Sequence, residues 1–278
     1  MTQKTTQSGV PFMKMHGLGN DFVVLDARVD SIDVTPALAR ALADRHKGVG
    51  FDQLAVVSDD EGADVRLTFY NADGSMAGAC GNATRCIARY EMDRLGKTDL
   101  TLVTERGILQ ALDKGNGLTS VNMGQPQLDW KDVPLAKAMD TLELPIEGHP
   151  TATGMGNPHC TFFVEDVDAI DLAQSGALIE HHPLYPERTN VQFAQVVGPD
   201  HLRMRVWERG VGITLASGSS SCATAVAAHR RGLTGHRVKI DLDGGQIEID
   251  WCDDGVWMTG PTAHVFSAVL TAEFLADL

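Results

Sequence analysis

The chain repeats itself. The segment GNDFVV begins at Gly19 and GNPHCTFFV begins at Gly156, each running from a Gly-Asn pair into an apolar, strand-like run, and the offset is 156 − 19 = 137. Adding 137 to the triplet Ala79-Cys80-Gly81 gives Ala216-Ser217-Gly218. The same step takes the alternating strand Val65, Leu67, Phe69 onto Leu202, Met204, Val206, and Gln53 onto Asn190. Gly-Asn and Gly-Ser turns are common loop punctuation, so a single recurrence carries little weight. Four features at one offset, in a chain of 278 residues, predict a duplicated half. At that length two units of ordinary domain size are expected.

Within each half the pattern reads as strands, a helix, more strands, and a second helix that starts directly after the small-[Cys/Ser]-Gly triplet. Strands dominate, which makes the class α+β with two pseudo-symmetric α/β halves. The first such helix runs from about Asn82 to Leu95, with an apolar face at Ala83, Cys86, Ile87 and Tyr90; its counterpart carries Cys222, Ala225, Val226 and His229. Both show i, i+3, i+4, i+7 spacing, so one buried face is predicted and Cys86 and Cys222 are assigned to the core. The two faces are displaced by two residues relative to the repeat, which predicts a slightly longer turn after Ser217. The Gly-Gln-Pro and Asp-Val-Pro stretches between Gly124 and Pro134 interrupt the strand pattern. They place the halves at 1–124 and 125–265, with the segment 266–278 returning to the first half.

Cys80 falls just before a helix N-terminus, where unpaired amides and the helix dipole favour a thiolate over a thiol. A thiolate there is a base; the alternative is a buried helix-capping thiol, and spacing alone leaves both open. The amides of Gly81 and Asn82, with those of Gly218 and Ser219 in the other half, suit a carboxylate held between two helix N-termini. Inverting a stereocentre by proton transfer needs a base on one face of the carbon, an acid on the other, and stabilisation of the carbanion between them. Two opposed halves supply that geometry. No cofactor motif offers another route: Gly17-Leu18-Gly19 lacks the third glycine of a dinucleotide fingerprint, and no GxxxxGK[ST] occurs.

A net charge of −14 and the absence of a basic stripe argue against nucleic acid and anionic lipid as partners. The polar start MTQKTTQSGV and the lack of any long apolar run predict a cytoplasmic protein that does not enter a membrane. Five cysteines without C-x-x-C pairing suggest neither a disulfide framework nor a zinc site. Nothing marks an interface, and a homodimer stays open beside a monomer.

The segments KMHGLGNDFVVLD, GFDQL, NADGS, CGNATRC, VNMGQP, MGNPHC, PERTNVQF, VWERGVGIT and MTGP, in this order, closely resemble the diaminopimelate epimerase family from Phe12 onward. The resemblance implies two halves, each a barrel-like, mostly antiparallel sheet around a central helix, with the active site between them. It implies interconversion of LL- and meso-diaminopimelate without pyridoxal phosphate or metal, on the route to lysine and peptidoglycan. By the same resemblance Asn20 and Gln53, with the amides of Gly81 and Asn82, line the reacting amino-acid end. Asn71, Asn157, Asn190, Glu208 and Arg209 hold the distal end, Cys80 is one thiol base paired with His159, and Glu208 also assists the second cysteine. An arginine gripping a carboxylate bidentately and asparagines serving both ammonium and carboxylate make chemical sense of that set. The bland alternatives are that Asn20, Asn71 and Asn157 cap turns and that Glu208-Arg209 is a solvated pair.

One position breaks the family pattern. The second cysteine belongs in an A-C-G-[ST] turn, which here reads Ala216-Ser217-Gly218-Ser219, followed by Ser220 and Ser221. A hydroxyl is ionised too rarely near neutrality to take a weakly acidic Cα proton alone. Binding is expected to survive this change better than turnover. Three readings stand open: a Cys-to-Ser form of an ordinary epimerase, a natural enzyme with weak epimerisation or one-base racemase, isomerase or dehydratase chemistry on another amino acid, and a non-catalytic amino-acid binder.

Overall fold

The computed structural model describes residues 9–29, 32–276 and 278. Most of the polar N-terminal stretch read above lies outside the described residues. The first copy of the repeat runs β1 (Val10–Gly17), β2 (Asn20–Asp26), α1 (Pro36–Ala43), β3 (Gln53–Ser58), β4 (Val65–Asn71), β5 (Met76–Ala77), α2 (Gly81–Leu95), β6 (Asp99–Thr104), β7 (Gly107–Gly115) and β8 (Leu118–Asn122). The second runs β9 (Thr151–Gly154), β10 (Pro158–Phe163), α3 (Leu172–Glu180), β11 (Asn190–Gly198), β12 (His201–Glu208), β13 (Gly212–Thr214), α4 (Gly218–Arg230), β14 (Arg237–Leu242), β15 (Gly245–Cys252) and β16 (Gly255–Pro261). The strand β17 (Ala263–Leu270) and helix α5 (Ala272–Ala276) follow. No helix among the described residues is long and apolar enough to cross a membrane.

The duplication extends to hydrogen-bond register. The parallel pair β2–β3 sets Phe22 opposite Gln53, and β10–β11 sets His159 opposite Asn190, each residue moved by 137. The antiparallel pair β3–β4 sets Leu54 opposite Tyr70, and β11–β12 sets Val191 opposite Trp207. Phe69 faces Ala77 in β4–β5, and Val206 faces Thr214 in β12–β13. A one-residue slip would move every side chain to the other face of a strand, so conserved register keeps the core pattern in both copies. Accordingly Val65, Leu67 and Phe69 are buried, as are Leu202, Met204 and Val206.

The register slips once. Val65 lies beside Leu102, whereas Leu202 lies beside Ile240, a step of 138. The extra residue therefore comes after the second-copy helix and not before it. Cys80 and Ser217 are both N-cap residues, and α2 and α4 begin at the very next position, so the longer turn expected after Ser217 does not exist. The apparent displacement of the helical faces has another cause. Gly218 and Ser220 to Ala228 are buried around the whole circumference of α4, and Asn82 to Ala88 around that of α2. A helix enclosed on all sides has no polar stripe to fix its phase. Cys86 and Cys222 are fully buried, as the core assignment requires.

Two compact units result. One comprises the chain up to Gly17, Asp21–Gln110 and Thr262 onward; the other comprises Leu18–Asn20 and Ala111–Pro261. Apart from the excursion at Leu18–Asn20, the chain changes unit at 110/111 and 261/262, ahead of the boundaries expected after 124 and 265. Strand pairing explains both points. β8 pairs antiparallel with β16, setting Val121 opposite Met258, while β17 pairs along β1 from Val10–Leu270 to His16–Ala263. The core of the first unit gathers Phe12, Val23, Leu25, Leu38, Leu42, Leu54 and Leu270. That of the second surrounds α4 with Leu202, Met204, Val238, Ile240, Ile249 and Met258.

The short segment Leu18–Asn20 is pinned within the second unit. A Cβ on Gly244 would overlap the Leu18 carbonyl oxygen, and the Gly244 N–H donates to the Leu215 carbonyl at 2.9 Å. Gly244→Ala is therefore expected to destabilise the protein by about 1–3 kcal/mol, the usual cost of forcing a backbone apart. Thermal or urea unfolding checks this; an unchanged midpoint would mean that the segment yields freely.

Candidate active site

In the first unit the triplet leads straight into α2. Cys80 has an extended backbone (φ −144°, ψ 104°), and its Sγ accepts the Ala83 N–H at 3.4 Å. It caps the helix, yet it is only partly buried, so the expectation of a buried capping thiol holds for the cap alone. The contrast with the core thiols is chemical. Burial pushes Cys86 up to about 11 and Cys160 up to about 12, which keeps both protonated and inert. Gly81 and Asn82 open α2, where helix geometry leaves first-turn amides without intrahelical acceptors. Asn82 is buried, and the fully buried Arg85 donates to its Oδ1 at 3.0 Å. Gln53 donates through Nε2 to Asn71 Oδ1 at 3.3 Å, so two residues that the resemblance assigns to opposite ends of a substrate are hydrogen-bonded neighbours. Asn71 also holds the β4–β5 turn, donating to Ser75 Oγ at 3.1 Å.

The second unit places Ser217 at the equivalent N-cap, but its hydroxyl makes no cap bond. Instead Ser217 Oγ donates to Glu208 Oε2 at 2.8 Å, and Thr214 Oγ1 donates to Glu208 Oε1 at 2.6 Å. The carboxylate is aimed at the serine by strand pairing, because β13 returns Thr214 to the β12 edge. Gly218 and Ser219 supply the first-turn amides of α4.

Glu208 and Arg209 do not form the solvated pair offered as an alternative. Glu208 binds the two hydroxyls, while Arg209 donates through Nη1 to the Glu187 carbonyl at 3.0 Å and is partly buried. Asn190 is buried and acts as a bracket: its Nδ2 donates to the Pro158 carbonyl and its Oδ1 accepts the Arg209 N–H, both at 3.0 Å. Its Oδ1 thereby fixes the backbone at Arg209. His159 is fully buried, with Nε2 at 3.0 Å from Asn157 Oδ1 and Nδ1 at 3.1 Å from Gln192 Nε2. Asn157 and Arg209 share a depression of about 390 Å³ with Lys131, Asp132 and Glu187. Asn20 belongs to this unit through the segment Leu18–Asn20; Gly19 has φ +84°, and a Cβ there would lie 2.7 Å from Leu215 Cδ1.

Thr214, Gln192, Ser220 and Thr161 were absent from the sequence-derived site. The repeat carries the signal that finds them. Each is polar where the first copy is apolar: Thr214 for Ala77, Gln192 for Ala55, Ser220 for Ala83 and Thr161 for Val24, all at 137. His159 stands where the first copy has Phe22.

Each unit thus sets a polar side chain at the N-cap of its enclosed helix, a thiol in the first and a carboxylate-backed hydroxyl in the second. A family model described as diaminopimelate epimerase matches residues 12–128 and 151–265. The chain belongs to the diaminopimelate epimerase family. It is 52% identical over 271 residues to diaminopimelate epimerase of Rhodospirillum centenum, covering 95% of this chain and 93% of that protein. It is 51% identical over 272 residues to diaminopimelate epimerase of Acidiphilium cryptum, covering 96% of this chain and 98% of the relative. Beyond the family, the crystal structure of a Bacillus anthracis phenazine biosynthesis protein of the PhzF family shares the fold. The TM-score is 0.70 at 14% identity, over 95% of this chain and 99% of that one.

Proposed function

We propose that this member of the diaminopimelate epimerase family interconverts LL- and meso-diaminopimelate through Cys80 on one face of the Cα and a Ser217–Glu208 dyad on the other. The carrying observation is the 2.8 Å hydrogen bond from Ser217 to Glu208, in a chain about half identical to diaminopimelate epimerases. For one isomer the Cys80 thiolate takes the Cα proton and becomes a thiol. The carbanion is then protonated from the opposite face by Ser217, which recovers its proton from Glu208, leaving a carboxylate. For the other isomer Ser217 takes the Cα proton as it passes its own to Glu208, and the Cys80 thiol supplies the replacement. One proton is exchanged at each end and no free alkoxide forms. The first-turn amides of α2 and α4 hold the reacting carboxylate and spread the carbanion charge. Asn20, Gln53 and Asn82 orient the reacting end, and Asn71, Asn157, Asn190 and Arg209 orient the distal end.

The dyad is a weaker base than a thiolate, so transfer on the Ser217 face limits the rate. Incubating the protein with each isomer and separating products on a chiral column tests the reading: slow interconversion is expected, and its complete absence in both directions would contradict it. Glu208→Gln is expected to slow interconversion by a further factor of about 10² by removing the proton acceptor behind Ser217. A rate within twofold of the parent would show that Glu208 does not take part.

A further inference from the structure

The polar residues that break the repeat's symmetry in the second unit form a chain of hydrogen bonds with one direction. Thr161 Oγ1 lies 3.2 Å from Gln192 Oε1. Gln192 Nε2 lies 3.0 Å from Ser220 Oγ and 3.1 Å from His159 Nδ1. All four residues are fully buried. In this orientation both Gln192 N–H groups have an acceptor and Oε1 has a donor. Turning the amide over would leave one buried N–H facing a single hydroxyl at Thr161 with no second acceptor, an arrangement that native interiors avoid. Gln192 therefore donates to Nδ1, the imidazole proton resides on Nε2, and Nε2 donates to Asn157 Oδ1 at 3.0 Å.

The consequence falls on Asn157. With Oδ1 taken by His159, the group it offers is its NH2, which makes no hydrogen bond to any other described group, and Asn157 lines the depression shared with Arg209. We propose that Gln192 and His159 are positioning residues that fix the polarity of the Asn157 amide, so that the depression presents donors from both Asn157 and Arg209 and selects a carboxylate over a neutral amide. A freely turning Asn157 would present a carbonyl oxygen as readily and would accept a carboxamide as well. The first copy shows that the fold does not require the network: Phe22, Ala55, Val24 and Ala83 fill the same places. The ligand assignment rests on the functional reading above; the tautomer does not.

Two measurements separate these. In the ligand-free protein, ¹⁵N-resolved NMR of the histidines should show His159 as the Nε2–H tautomer, and Gln192→Glu, which offers Nδ1 an acceptor, should move the proton to Nδ1. A wild-type Nδ1–H form would overturn the proposal whether or not the protein binds diaminopimelate. In calorimetric titrations, diaminopimelate should bind wild type at least tenfold more tightly than its monocarboxamide. His159→Phe, which installs the first-copy residue, should reduce that ratio at least fivefold while the thermal midpoint confirms folding. A folded His159→Phe protein that keeps the full ratio, even with turnover lost, would overturn the proposal. Failure of wild type to bind diaminopimelate at all would count against the functional reading and leave the tautomer test to decide this one.

Discussion

Ser217→Cys is expected to accelerate net epimerisation by about 10²- to 10⁴-fold, the span over which a well-matched acid/base acts. The expectation comes from asymmetry inside one chain. The two helix caps occupy equivalent positions, but Cys80 directs its sulfur to the Ala83 amide while Ser217 directs its hydroxyl away from the helix to Glu208. A thiol is partly ionised at neutral pH and a hydroxyl is not, so in the proposed mechanism the serine depends on the carboxylate as its base. Restoring a thiol beside Glu208 removes that dependence, and the double variant Ser217→Cys/Glu208→Gln should lose less than Glu208→Gln loses on its own. Chiral assays of the three variants decide it. An unchanged rate in Ser217→Cys would mean that the Ser217 face does not limit turnover.

Cys80→Ser is expected to lower both interconversion and Cα proton exchange by about 10²- to 10⁴-fold. Stability should move the other way or not at all. Serine is a preferred N-cap residue, and its oxygen is a better acceptor for the Ala83 N–H than sulfur at 3.4 Å. Loss of activity with an equal or higher thermal midpoint would separate chemistry from folding. Activity within tenfold of the parent would remove Cys80 from the mechanism. The core thiols Cys86, Cys160 and Cys222 offer no substitute, because they are fully buried.

The repeat was the most legible part of the fold. Its offset predicts which strands pair, because residues separated by 137 take equivalent register positions from Phe22–Gln53 and His159–Asn190 through to Phe69–Ala77 and Val206–Thr214. Helix phase was less legible. Periodicity assumes a polar side, and α2 and α4 bury residues all round, including Arg85, Thr84 and Ser220. The exchange of chain between units was hidden as well, since β8–β16 and β1–β17 pair residues far apart in sequence and no turn signal marks them. Within the site, Ser217 was found by symmetry alone, whereas Thr214 and Gln192 look like ordinary strand residues until their partners Ala77 and Ala55 are set beside them.

The proposed mechanism sets a strong base on one face of the reaction and a weak one on the other. Incubation of each diaminopimelate isomer in D2O, with deuterium at Cα followed by mass spectrometry and configuration by chiral separation, measures both faces at once. One isomer should take up deuterium with retention faster than it epimerises, because Cys80 returns a solvent deuteron before Ser217 delivers one, while the other should exchange no faster than it inverts. Equal exchange from both isomers, or none from either, would contradict the account.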